Sequence, residues 1–116
     1  MNDFDRGESI KITVTLTDGT NNLDTSNFNK IEVKVSHKHL STELDRFSLA
    51  DSEVTKETPT SDGQISFVIP QSVTATAALG VYKYQVKTEE TDTDCENNTR
   101  NRTFVGDCFY LKKALT

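Results

Sequence analysis

The acidic residues between positions 89 and 96 have the side-chain type and the spacing that could bind a metal ion. Asp92, Asp94 and Glu96 stand at every second position, and Glu89 and Glu90 precede them. Calcium takes about six to eight oxygen ligands, which carboxylates on a flexible loop can supply. The segment lacks the glycine turn and the distal glutamate of an EF-hand loop, so its pattern is that of a generic solvated loop. We therefore predict no metal and no cofactor, with calcium binding as the alternative.

The histidines and cysteines are the next residues that could coordinate a metal. His37 and His39 form a His-x-His pair that could offer two imidazoles to zinc. A structural zinc needs about four protein ligands, and neither cysteine has a reason to lie beside these histidines. We predict surface histidines at a strand end. Cys95 in a loop and Cys108 in the last strand are predicted to be free thiols, with a disulfide as the alternative if the loop folds back to bring their Cα atoms within about 7 Å.

No motif of nucleophilic or phosphate-binding catalysis occurs in the chain. There is no Gly-x-Ser-x-Gly elbow and no glycine-rich phosphate loop. Two carboxylates that meet only in the folded chain could still act as in a glycosidase, but a small domain without tryptophan makes a poor cleft. We therefore predict that the protein is not an enzyme.

Three tyrosines, Tyr82, Tyr84 and Tyr110, could form an aromatic platform for a sugar or a partner. Alternation puts Tyr82 and Tyr84 on one strand face together with Val86. This pattern favours core packing with the hydroxyl groups at the edge, most clearly for Tyr84. The pattern does not decide whether the Tyr82 side chain packs in the core or binds a ligand.

Alternation of apolar and polar side chains is the strongest structural signal in the chain. It is clearest in Ile10, Ile12, Val14 and Leu16, each of which is followed by a polar residue. A period of two is typical of a strand with one face buried and one face in water. The same period returns in three further segments, 31–35, 65–69 and 82–86. The sequence therefore predicts an antiparallel all-β sandwich.

The strands can be placed from these segments and from the turn residues between them. The last strand should carry a bulge at Gly106 and Asp107, which switches its buried face. Residues 39–54 are ambiguous between helical spacing and short strands. The expected strands cover about 8–17, 30–37, 53–58, 64–69, 81–87 and 104–111.

Three segments outside the expected strands can be assigned from their composition or position. Residues 71–79 are rich in alanine and should form one helical turn closed by Gly80, as a crossover between sheets. Residues 1–7 are predicted to be an N-terminal arm. Residues 88–103 contain no apolar residue except a cysteine and are predicted to be a long polar loop.

Length and charge limit the domain organisation and the kind of partner. The 116 residues suffice for a single domain over 1–116 and are too few for two. The formal net charge of −5 argues against nucleic acid and anionic membranes, which bind basic surfaces. No apolar run reaches the length of a membrane span, and the first residues lack the features of a secretion signal. We expect a protein that is made without Sec export.

Four segments resemble the small structural domains of bacteriophages. Residues 4–10, Phe-Asp-Arg-Gly-Glu-Ser-Ile, resemble the lead-in to their first strand, and residues 62–70, Asp-Gly-Gln-Ile-Ser-Phe-Val-Ile-Pro, resemble their hairpin strand. Residues 74–86, which end in Gly-Val-Tyr-Lys-Tyr-Gln-Val, and residues 104–109, Phe-Val-Gly-Asp-Cys-Phe, resemble later strands. The pattern is similar to immunoglobulin-like sandwiches of phage tail and baseplate proteins, such as the N-terminal domain of the upper baseplate protein family.

The resemblance implies a fold, a function and a location. The fold would be an immunoglobulin-like β-sandwich of about seven strands with one short helical crossover. The protein would be a non-enzymatic structural component of a phage virion, at the neck, tail, connector ring or capsid surface, made in the bacterial host cytoplasm. Its partners would be other virion proteins and copies of itself. A carbohydrate- or calcium-dependent adhesion module of a bacterial surface protein is the alternative.

We expect contacts with neighbouring subunits at the N-terminal arm and at the long polar loop. Polar loops that become ordered on assembly suit such a role. The candidate interface residues are Asn2, Phe4, Arg6, Asp92, Asp94, Glu96, Asn97, Arg100 and Arg102.

Overall fold

The computed structural model describes residues 2–114, and most of this range is β-strand. One short helix, α1, spans Gln71–Thr74, and 3-10 turns span Thr25–Asn27, Thr60–Asp62 and Glu96–Asn98. The strands are β1 (Asn2–Asp5), β2 (Ile10–Thr15), β3 (Phe28–His37), β4 (Glu43–Ser48), β5 (Val54–Lys56), β6 (Gln64–Ile69), β7 (Gly80–Thr91) and β8 (Thr99–Lys112).

The strands form two sheets that face each other. β1, β8, β7, β3 and β4 lie side by side in that order in a five-stranded sheet, and β2, β6 and β5 form a three-stranded sheet. Both sheets contribute to one hydrophobic core, in which the rings of Phe47 and Phe67 stack at a centroid distance of 4.9 Å. This arrangement confirms the predicted all-β sandwich with one short helix, and the described chain has eight strands rather than about seven.

The alternating segments of the sequence supply the core. In β2, Ile10, Ile12 and Val14 are buried, whereas Lys11 and Thr13 are exposed. Burying one such apolar side chain stabilises a fold by about 1.5–3 kcal/mol relative to leaving it exposed. The other buried apolar side chains are Leu16, Phe28, Ile31, Val33, Val35, Phe47, Val54, Ile65, Phe67, Ile69, Ala77, Tyr82, Val86, Phe109 and Leu111.

The N-terminal residues form an edge strand and not the predicted arm. β1 pairs with the end of β8, from Asn2 opposite Phe109 to Asp5 opposite Lys112, and this pair is parallel. The sandwich is therefore not purely antiparallel, which corrects the prediction. Phe4 accounts for the difference, because its ring packs edge-on against Phe109 at 6.0 Å and ties the segment to the core.

The predicted loop over 88–103 is mostly strand, which is a second correction. β7 continues to Thr91 and β8 begins at Thr99, so the connection comprises only residues 92–98. Polar side chains pair across the two strands in place of apolar ones, and Arg102 Nε donates to Glu90 Oε1 at 2.9 Å. The 12 residues of β7 span about 40 Å at 3.3 Å per residue.

The ambiguous segment 39–54 contains β4 with a turn on each side. The register of β4 against β3 shifts so that Leu44 is an extra residue between Glu43 and Asp45. This bulge lets Leu44 and Phe47 both pack toward the core. The near-helical spacing of these two residues is therefore the signature of a bulged strand.

The predicted bulge in the last strand is confirmed, one residue beyond the expected pair. Tyr82 lies opposite Phe109 and Lys83 opposite Asp107, which leaves Cys108 as the extra residue. The inward positions of β8 consequently change from even to odd numbers at this point.

Candidate functional site

The nine candidate interface residues lie in two regions at opposite ends of the five-stranded sheet. Asn2, Phe4 and Arg6 lie where β1 pairs with the end of β8. The other six lie in or beside the connection 92–98. About ten residues of β8 separate the two regions, which corresponds to roughly 33 Å of strand. The structure therefore does not bring these residues together in one site.

The N-terminal candidates hold β1 against the rest of the fold. The backbone N–H of Arg6 donates to the carbonyl oxygen of Lys112 at 2.9 Å, and its Nε donates to the carbonyl oxygen of Ala77 at 3.1 Å. Phe4 is half-buried against the core, whereas Asn2 is exposed. Arg6 and Phe4 thus have contacts within the chain.

Asp92 and Arg100 shape the connection between β7 and β8. The Asp92 carboxylate accepts the backbone N–H of Asp94 at 3.0 Å and pairs with Arg100 Nη2 at 2.7 Å. The hydrogen bond from Asp94, together with the charge of Arg100, holds the pKa of the Asp92 carboxyl below its usual value. The side chain of Cys95 and the Asp92 carboxylate raise the pKa of Arg100.

The alternative calcium site would need several carboxylates to converge. Asp92 is instead engaged with its own backbone and with Arg100. Residues 2–114 contain no group of three or more His, Cys, Asp or Glu side chains that could hold a metal ion.

Acidic residues are concentrated at the end of the β7–β8 hairpin. Five of the eighteen acidic residues lie within 89–96, which leaves thirteen acidic and thirteen basic residues elsewhere. Two of the five pair with Arg100 and Arg102. Glu89, Asp94 and Glu96 form no ion pair within the described part of the chain. We call residues 89–98 the acidic tip.

The outer face of the five-stranded sheet, which points away from the core, carries a row of residues without a carboxylate. Lys34 of β3 lies opposite Arg46 of β4 on one side and opposite Gln85 of β7 on the other. Gln85 lies opposite Val105 of β8, whose side chain is 69% exposed. This row crosses four of the five strands.

Two further lysines widen the row into a cluster. Lys83 and Lys87 lie two residues on either side of Gln85, hence on the same face and diagonal to Lys34. Arg46 pairs with a carboxylate of its own strand. Lys34, Lys83 and Lys87 form no ion pair with any residue in 2–114. The basic face is defined as Lys34, Arg46, Lys83, Gln85, Lys87 and Val105.

Four carboxylates border the basic face, and each has a partner other than its lysines. Asp51 and Glu53 accept hydrogen bonds from Ser48. Glu32 lies opposite Lys87 but pairs with a lysine of its own strand at 3.3 Å. Asp107 lies opposite Lys83 but pairs with Lys38 at 3.1 Å. Lys34, at the centre of the cluster, and Lys83 and Lys87 beside it are therefore left without an ion-pair partner in residues 2–114.

Folding alone does not favour the basic face. Like charges directly opposite each other across a sheet are destabilising, and Lys34 faces Arg46 with a lysine on two of its diagonals. Two shallow clefts of about 500 and 480 Å³ are both bordered by Lys34 and Gln85. Such departures from local rules are typical of functional sites. The basic face is thus a candidate binding surface for an acidic partner.

Sequence reasoning missed the basic face for a definite reason. Along β3, Glu32 and Lys34 alternate in sign as on a solvated surface, and only the strand register reveals the cations beside Lys34. The available signal was the outward set Lys83, Gln85 and Lys87, which alternates with the apolar residues of β7.

His37 is buried, which corrects its predicted place on the surface. Its Nδ1 accepts the backbone N–H groups of His39 and Leu40 at 3.2 and 3.1 Å, so Nε2 carries the proton that is donated to the carbonyl oxygen of Leu79 at 2.9 Å. Its ring packs edge-on against Tyr82 at 5.1 Å. Both nitrogens are occupied, so His37 joins the 38–42 turn to the segment between α1 and β7 and offers no lone pair to zinc.

The three tyrosines do not form a platform. Tyr82 is 2% exposed and donates its hydroxyl to the carbonyl oxygen of Ala78 at 2.6 Å, which settles its role as core packing. Tyr84 is half-buried over Gly106. Tyr110 lies on the opposite face of the sheet. Burial raises the pKa of both Tyr82 and Tyr84.

Both cysteines are free thiols, as predicted. Cys95 lies in the acidic tip and Cys108 in the bulge, and the strand between Thr99 and Cys108 alone spans about 30 Å. Burial raises the pKa of Cys108 to about 12. Its thiol is therefore neutral at physiological pH, and a neutral thiol is a poor nucleophile and metal ligand.

Comparison with known proteins identifies no relative. No family model, no curated protein and no solved structure matches the chain. Within residues 2–114, no helix is long and apolar enough to span a membrane.

Proposed function

We propose that this protein is a non-enzymatic structural component of a phage virion that acts by binding neighbouring protein subunits. The basic face supports this proposal most directly, because its three lysines, Lys34, Lys83 and Lys87, form no ion pair within the described chain. An acidic surface on a neighbouring subunit relieves their repulsion on binding. Val105 adds an exposed apolar side chain at the β8 end of this surface.

The virion is proposed from the likeness of residues 4–10, 62–70, 74–86 and 104–109 to phage structural domains. The shape suits a subunit that must reach its neighbours, since the Cα atoms extend over 54 × 28 × 28 Å. β7 has 12 residues, whereas β2 and β6 of the facing sheet have six each. The hairpin is therefore too long to be covered by the smaller sheet and is available for contacts.

Incorporation into particles tests this proposal. The wild-type chain should sediment with virions assembled in the same host cells. The variant Lys34→Glu/Lys83→Glu should fold, as shown by circular dichroism, yet remain outside the particles. Its control is Lys11→Glu/Lys113→Glu, which makes the same change in net charge at exposed positions away from the basic face.

Two results would contradict the proposal at different levels. If the wild-type chain is absent from particles, the protein is not a virion component. If the face variant enters particles as well as the control does, the basic face has no role in assembly.

A further inference from the structure

We infer that the basic face of one copy of this chain binds the acidic tip of a second copy. This inference rests on the proposed function, because it names the subunit that the basic face contacts. The two surfaces differ, so the contact is heterologous, and repeated docking gives a ring or an open array.

The charges of the two surfaces match. The acidic tip contains five carboxylates and no basic residue, whereas the rest of the chain has equal numbers of acidic and basic residues. Arg100 and Arg102 pair with two of the five carboxylates. In the part of the chain that the structure describes, Glu89, Asp94 and Glu96 lack ion-pair partners, and so do three lysines of the basic face. Each surface therefore offers what the other lacks.

Geometry keeps Asp94 and Glu96 away from the basic face of their own chain. β7 runs in the sheet from Gln85 to Thr91, so the connection 92–98 lies in the plane of the sheet about 20 Å beyond the centre of the basic face, whereas Glu89 lies on the outer face two residues from Lys87. Pairing of Thr91 with Thr99 keeps the hairpin extended. The tip cannot fold back over the lysines without breaking this pairing, whereas the tip of a second copy can approach them freely.

The shapes of the two surfaces are also compatible. The tip is a narrow connection of seven residues, 92–98, between two paired strands. The basic face has two shallow clefts of about 500 and 480 Å³ that meet at Lys34 and Gln85. One cleft continues toward Arg46 and the other toward Val105. A hairpin end laid across Lys34 would bring its carboxylates near the ammonium groups on both sides.

Zero-length crosslinking between isotopically distinct copies tests this contact. Equal amounts of ¹⁴N- and ¹⁵N-labelled wild-type chain are treated with a carbodiimide, which joins a lysine to a carboxylate only where the two are in contact. Mass spectrometry should find mixed-isotope peptides that link Asp94 or Glu96 to Lys34, Lys83 or Lys87. The yield should fall at high salt, because exposed charges are screened.

Two variants should each lose these crosslinks by about tenfold or more, equivalent to roughly 1.4 kcal/mol of association. The tip variant is Asp94→Lys/Glu96→Lys, and the face variant is Lys34→Glu/Lys83→Glu. Mixing them should restore a link between Lys87 of the tip variant and Asp94 or Glu96 of the face variant, because each retains one intact surface. The control Lys11→Glu/Lys113→Glu should retain the wild-type yield.

The results separate this inference from the proposed function. Crosslinks from the basic face to a different particle protein, or binding of a DNA duplex through the same lysines, would overturn the inference. A wild-type chain that is absent from particles contradicts the proposed function even if copies of the chain crosslink to each other. Failure of the mixed variants to crosslink would also overturn the inference.

Discussion

The two faces of the five-stranded sheet use the same strands in opposite ways. On the inner face, Tyr82, Val86 and Phe109 are at most 2% exposed and pack in the core. On the outer face of the same two strands, Lys83 is exposed and Val105 is 69% exposed. The side chains of the inner face pack against one another within the chain, whereas the outer face places positively charged side chains next to each other. Substitutions on the inner face should therefore change folding, and those on the outer face should change association.

The largest expected effect is on the inner face, at Phe109. Its ring is fully buried and lies parallel to that of Tyr82 at 5.1 Å. Phe109→Ala should lower the free energy of unfolding by about 3–5 kcal/mol, because it leaves a cavity. Val105→Ala on the outer face should change it by no more than about 0.5 kcal/mol. Urea denaturation measures both, with Phe109→Leu as a milder variant, and equal losses on the two faces would break the comparison.

The hydrogen bonds of the buried His37 ring should also contribute to the free energy of unfolding. His37→Phe keeps a ring but removes three hydrogen bonds to backbone groups. We expect a loss of about 2–3 kcal/mol in thermal or urea unfolding. His39→Phe is the matched control, because His39 is exposed, and it should change stability by less than about 0.5 kcal/mol. A neutral His37→Phe would show that these hydrogen bonds do not hold the turn.

Acid should loosen the acidic tip before it affects the core. The pKa of Asp92 is lowered in the folded chain from its ordinary value of 3.8. The stabilisation it provides is therefore complete above that value and is lost as the pH falls through the lower, folded pKa. Amide resonances of Asp94 and Cys95 should move in this acid range while those of β2 stay in place. In Asp92→Asn the tip should be loosened at every pH, and an unchanged acid titration in this variant would contradict the assignment.

The smallest expected effect on folding is at Lys34 on the outer face. Whether its substitution raises or lowers the free energy of unfolding is the most direct test of the difference between the two faces. Lys34→Glu replaces a repulsion with an attraction to Arg46. It should raise the free energy of unfolding by about 0.5 kcal/mol while it weakens crosslinking to a second copy. A residue retained for folding would show the reverse pattern, with lower stability and unchanged association.

Alternation predicts the parts of the fold in which burial decides the structure. β6 was expected over 64–69 and spans Gln64–Ile69, because each inward position is apolar. The outer half of the β7–β8 hairpin was missed because Glu90 and Arg102 stabilise it by pairing with each other, and such pairing leaves no apolar period. The basic face was missed for a related reason. Its character depends on which residues lie opposite Lys34, and strand register is not visible in a single segment of sequence.

The uneven distribution of charge also bears on solubility. At −5, free copies repel one another, which favours a dispersed protein in solution. The excess of acidic residues lies within 89–96, because the rest of the chain has equal numbers of acidic and basic residues. Contact between the tip of one copy and the lysines of another lowers this repulsion locally, but each added copy still brings a net charge of −5, so the repulsion within a growing array increases with its size. The balance of charges outside 89–96 predicts that a chain from which these residues are removed would be close to its isoelectric point at neutral pH and prone to precipitate.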